Sequence, residues 1–137
     1  MKNLKINHLA VIILTIAYQL IAMGWYTIFS NQWMSLNNFT EADFAEQSPV
    51  PYIYALITAL ITNYVMAILF KNLKIEQVTE GIKIAFLCWL AFAFAELSTV
   101  NMFSLKPFAL SLVDGGKSLV AFMVTGIVLG SWKKYEQ

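Results

Sequence analysis

Apolar residues fill four long blocks of the chain, at about residues 7–30, 51–70, 81–103 and 110–132, with short polar breaks between them. A helix needs about 20 mostly apolar residues to cross the hydrocarbon of a bilayer. Each block therefore predicts one transmembrane helix, and the pattern as a whole is all-α: a four-transmembrane-helix bundle forming a single integral membrane domain over residues 1–137. Lys2 and Lys5 ahead of the first block resemble the start of a secretory signal. The block is longer than the 7–15 residues of a signal's apolar core, no small-residue cleavage site follows it, and Gly24-Trp25-Tyr26 suits the interfacial end of a retained span.

The polar breaks carry the topology. Lys2 and Lys5 precede the first span, Lys71, Lys74 and Lys83 surround the second connection, and Lys133 and Lys134 follow the fourth span. The first connection holds Glu41, Asp43 and Glu46 without a lysine, and the third holds only Lys106. Lysine concentrates on cytoplasmic loops, so both termini are expected to be cytoplasmic. The first connection is the one long extramembrane segment. Thr40-Glu-Ala-Asp43 matches a capping box, and Trp33, Phe39 and Phe44 suit a short amphipathic helix on the outer surface. Ser48-Pro49 reads as the cap and first residue of the second span.

Composition narrows the partners. The chain is 59% hydrophobic and 12% charged, where a soluble domain carries about 25% charged residues. The lipid bilayer is thus its solvent, and a net charge of +1 gives no reason to expect nucleic acid. All nine cations are lysine, which argues against bidentate recognition of phosphate or carboxylate. One cysteine, Cys88, and one histidine, His8, leave no metal cluster, no catalytic set and no cofactor motif in view.

Helices in lipid associate through small residues and interior polar groups. Ala55, Ala59, Asn63 and Ala67 recur at spacing of four on the second span, and Gly126-Ile-Val-Leu-Gly130 forms a GxxxG pattern on the fourth. These are expected to be packing surfaces within the chain, with an oligomer contact through Gly126 and Gly130 as the alternative. Gln19 and Asn63 each fall about 18 Å from the start of their spans, near the midplane, and are candidates to bond each other. Glu96, Asp114 and Lys117 are three ionisable residues that fall inside the spans, well away from the lysine-bearing ends. Glu96 lies about 12 Å in from the outer end of its span and Lys117 about 10 Å, so the two are expected to pair, with Asp114 one turn outward of the ammonium. Two carboxyls against one ammonium also leave room for a protonated carboxyl that relays protons or binds a cation. A third reading places Asp114 to Gly116 in an outer loop, since paired glycines permit a helix break.

An ordered set of short motifs runs the length of the chain. Asn7-His-Leu-Ala-Val11 and Gly24-Trp25-Tyr26 bound the first span, and Trp33-Met34 and Phe39-Thr40-Glu41 follow it. Glu80-Gly81, Trp89-Leu90, Lys106-Pro107-Phe108 and a closing Gly126-Ile-Val-Leu-Gly-Ser-Trp132 come after. This pattern resembles the DUF1761 family of small bacterial four-span membrane proteins of unknown function. The resemblance implies the bacterial inner membrane and supplies no catalytic or ligand residues. The function expected is that of a non-enzymatic membrane protein acting as a homo-oligomer or as an accessory subunit of a membrane complex. A small transporter or channel using Glu96, Asp114 and Lys117 is the alternative, and a membrane-embedded enzyme using Glu96 or Asp114 as a base is a third.

Overall fold

A computed structural model describes residues 2–137. The elements are β1 (Leu4–Lys5), α1 (His8–Ile28), α2 (Ser30–Asn37), α3 (Val50–Leu73), α4 (Val78–Cys88), α5 (Ala95–Phe103), α6 (Phe108–Ser131) and β2 (Lys134–Tyr135). Four helical segments are long and apolar enough to cross a membrane: His8–Ile28, Val50–Leu73, Val78–Phe103 and Phe108–Ser131. They match the four blocks expected. The third is composite, because α4 passes through a π-helical turn at Trp89–Phe94 before continuing as α5.

The chain ends meet. β1 pairs antiparallel with β2, Leu4 opposite Tyr135 and Lys5 opposite Lys134. Asn7 ties the junction. Its Oδ1 caps α1 by accepting the Ala10 N–H at 3.2 Å, and its Nδ2 donates to the Trp132 carbonyl at 3.1 Å. Both termini therefore lie on one face, here the terminal face; the connections after α1 and α5 lie on the opposite, loop face.

On the loop face α1 stops at Phe29, and α2 follows at once, ending at Asn38 in the left-handed region (φ 60°). The expected capping box is present: Asp43 Oδ2 accepts from both Thr40 N (2.7 Å) and Thr40 Oγ1 (2.9 Å). These bonds hold the Asp43 carboxyl below its usual range, the backbone N–H contributing most. What the box starts is a 3₁₀ turn, Glu41–Phe44, rather than an α-helix. Trp33, Phe39 and Phe44 do not lie along one helix. They form a cluster with ring centroids 5.4 to 5.9 Å apart, Trp33 on α2 and the other two in the loop. Ser48 Oγ accepts the Val50 N–H at 3.2 Å, although α3 starts at Val50, one residue later than expected.

The core is organised by α6, which packs against α1, α3, α4 and α5. Its buried face is made of small residues, among them Ser111, Gly115, Ser118, Thr125, Gly126 and Gly130. The closest approach is to α4. A Cβ built on Gly126 would sit 2.7 Å from the Gly81 carbonyl oxygen and 2.8 Å from Ala85 Cβ, and one on Gly130 would sit 3.0 Å from the Gln77 carbonyl oxygen. The GxxxG pair is thus consumed within the chain, as a seat for α4, and is not free for another subunit. On α3, Ala59, Asn63 and Ala67 are buried, while Ala55 is only half-buried.

Gly126→Ala is expected to destabilise by about 1–3 kcal/mol, because the added methyl meets backbone that cannot move aside. Gly24 has open space around it, so Gly24→Ala should be neutral or stabilising by up to about 1 kcal/mol. Thermal unfolding of both variants in one detergent checks the contrast; equal behaviour would refute the tight crossing.

Candidate functional site

Polar side chains collect along one stripe of α1 and the surfaces facing it. At the loop-face end Tyr26 Oη donates to Asp114 Oδ1 at 2.6 Å, short enough for a charge-assisted bond. One turn along α6, Lys117 Nζ lies 5.3 Å from the centre of the Tyr18 ring and 5.8 Å from that of Tyr26, within reach of cation–π attraction. Asp114 and Lys117 are both half-buried and helical, since α6 runs unbroken from Phe108. The loop reading of Asp114 to Gly116 is therefore corrected.

The paired glycines do something else. A Cβ on Gly115 would fall 2.5 Å from Phe94 Cδ2, and one on Gly116 would fall 2.7 Å from Trp25 Cζ2. Each glycine is a flat seat for an aromatic ring from a different helix. Both neighbouring indoles also bond to α6: Trp25 Nε1 donates to the Val113 carbonyl at 2.9 Å, and Trp89 Nε1 to the Gly115 carbonyl and to Ser118 Oγ, each at 3.0 Å. Buried indole N–H groups need such acceptors, because lipid offers none.

Deeper in, Asn63 is 1% exposed and joins three helices. Its Oδ1 accepts from Thr125 Oγ1 at 2.9 Å, and its Nδ2 approaches Thr15 Oγ1 at 3.5 Å. Gln19 does not reach Asn63. It donates to the Ala55 carbonyl at 3.2 Å instead, so the expected Gln19–Asn63 bond is replaced by two separate links between α1 and α3. At the terminal face His8 Nδ1 and Tyr64 Oη lie 3.0 Å apart.

Glu96 is absent from this set. It is exposed on α5, and no ion pair joins it to Lys117 among the described residues. The expected pairing is corrected, and the cause is the π-helical turn. Gly81, Ala85 and Trp89 form the buried face of the third span; at 3.6 residues per turn Glu96 continues it. The π turn adds a residue to the repeat and rotates the rest of the span by about 100°. Asn101 then faces α6, donating to Ser111 Oγ at 3.0 Å, and Glu96 points away.

Sequence reasoning missed Tyr18 and Trp89 as members of the site and treated Trp25 and Tyr26 as interfacial anchors. Trp89 carried a usable signal, since it lies eleven residues inside its span, too deep for an interfacial belt.

A family model described as protein of unknown function (DUF1761) matches residues 9–130. The chain belongs to the DUF1761 family. No curated protein and no solved structure matches it. The DUF1761 match takes in every residue of the polar stripe except His8.

A double-mutant cycle tests the stripe. Tyr26→Phe and Asp114→Asn are each expected to lower stability, with a coupling of about 0.5–2 kcal/mol between them. Additive losses in thermal unfolding would show that the bond contributes nothing of its own.

Proposed function

We propose that this DUF1761 protein is a non-enzymatic subunit of a bacterial inner membrane, with both termini cytoplasmic, working as a homo-oligomer or as an accessory component of a membrane complex. One observation carries the reading: Glu96 is an outward-facing carboxylate on a membrane span. It precedes the end of α5 at Phe103 by seven residues, which puts it about 10 Å inside the span. A charge at membrane depth costs about 2.5–3.5 kcal/mol on insertion scales and is normally paired or solvated. Nothing among the described residues pairs with Glu96, so a polar group from another subunit is the natural complement. The third span is also the least buried, 17% of its apolar stretch against 33% for the fourth. It has the most surface left to give.

A second reading, a small proton or ion transporter, is favoured by the polar stripe that runs along α1 from His8–Tyr64 to Tyr26–Asp114. It differs from the expected Glu96/Asp114/Lys117 site in using Tyr26 and Tyr18 where Glu96 was expected.

Native mass spectrometry in mild detergent is expected to give a species heavier than the monomer, lost in Glu96→Leu. A strictly monomeric wild type with no co-purifying protein would refute the subunit reading. Flux into proteoliposomes that exceeds background and falls in Asp114→Asn and Lys117→Met would favour the transporter.

A further inference from the structure

The terminal face gathers lysines from three parts of the chain that are far apart in sequence. Lys5 on β1, Lys71 at the end of α3 and Lys134 on β2 line one cleft of about 430 Å³, together with Ile6 and His8, a volume in the range of small-ligand clefts. The strand register sets Lys5 directly opposite Lys134, where like charges repel. Among the described residues no carboxylate pairs with these three lysines. Glu76 and Glu136 line a neighbouring cleft with Lys2 and Lys74, and Lys71 stands on the border between the two clefts; Lys133 is engaged in donating to the Glu76 carbonyl. The chain thus builds a cross-strand pair of cations and adds a third, and the cleft that all three share has no acid in its lining.

Positive residues on one face are explained by topology alone, but topology does not require them to converge or their strands to pair in register. The surroundings indicate what the lysines meet. His8, Ile12 and Ile16 share one face of α1 at spacing of four, and both isoleucines are about half exposed. Ile68, one turn before Lys71 on α3, is similarly exposed. An apolar flank therefore descends into the membrane from the basic cleft.

We propose that the cleft holds the phosphate of an anionic membrane phospholipid, bound by Lys5, Lys71 and Lys134, with an acyl chain along Ile12 and Ile16. Lysine suits this task, since a phosphate at the membrane surface is met here by convergent point charges and not by a planar fork. The bound lipid would join the terminal strands to α3.

The test is a thermal-shift titration of the purified full chain with three additives: phosphatidylglycerol, phosphatidylcholine and inorganic phosphate. Phosphatidylglycerol is expected to stabilise the protein, with the other two inert. In Lys5→Gln, Lys71→Gln and Lys134→Gln the apparent affinity should fall about fivefold per lysine removed. The pair Lys2→Gln and Lys74→Gln, in the neighbouring cleft, should change it little, and Lys→Arg at the three positions should preserve it, which separates loss of binding from loss of fold. Equal stabilisation by phosphatidylcholine, or by inorganic phosphate, would overturn the assignment, as would equal losses in the two sets of Gln variants. None of these outcomes depends on whether the protein assembles through Glu96.

Discussion

Helices in a bilayer gain nothing by hiding apolar surface from water, so close backbone approach has to hold this bundle together. α6 provides it. Gly126 and Gly130 let α4 come down onto backbone, Gly115 and Gly116 let the rings of Phe94 and Trp25 lie flat, and Thr125 reaches the Asn63 link to α3 and α1. The small residues occupy successive turns of one helix because three neighbours must each find a groove on it. Loss of any one would separate a neighbour and strand the polar groups bonded across that contact, where lipid offers them no partner.

The π-helical turn is the second constraint. Trp89 and Phe94 stack with centroids 5.1 Å apart and planes 23° from parallel. Residues five apart in an ordinary α-helix are turned about 140° from one another and cannot do this. Widening the helix puts both rings on the α6 side, one bonding the Gly115 carbonyl and the other covering the same glycine. The cost is a broken register, and Glu96 is the residue that leaves the interior. Functional sites often coincide with such turns, and here the turn determines which charge the bundle keeps and which it presents outward.

Much of this architecture was legible in the sequence because it rests on local physics. Apolar length specified the spans, the Thr40–Asp43 spacing specified a capping box, and spacing of four on α3 and α6 marked faces that do pack. The candidate site was legible only in part. Asp114 and Lys117 stood out by charge, but their real partners are aromatic, and aromatic residues near span ends look the same whether they anchor to the interface or turn inward. Glu96 was misplaced for a different reason. A π turn has no signature in hydrophobic periodicity, so any residue beyond Phe94 read at 3.6 per turn is assigned to the wrong face. Gln19 and Asn63 were matched by depth estimated along each helix, yet Asn63 meets Thr15, one turn before Gln19, and Gln19 meets the Ala55 carbonyl, since counting residues does not say which acceptor a side chain will reach.

The corrected geometry also changes the charge balance. Asp114 and Lys117 belong to one cluster through Tyr26, whose hydroxyl bonds the carboxylate and whose ring faces the ammonium. That cluster is neutral as a whole, and it needs nothing from outside the chain. Among the exposed charges without an ion pair, two features stand apart by position: Glu96, alone at depth on α5, and Lys5, Lys71 and Lys134, gathered in one cleft on the terminal face. They carry opposite signs and lie on different elements, so a protein partner at one and a lipid phosphate at the other would not compete. On both proposals the bundle closes its interior polar cluster within the chain and leaves Glu96 and the three lysines to meet a partner and a lipid.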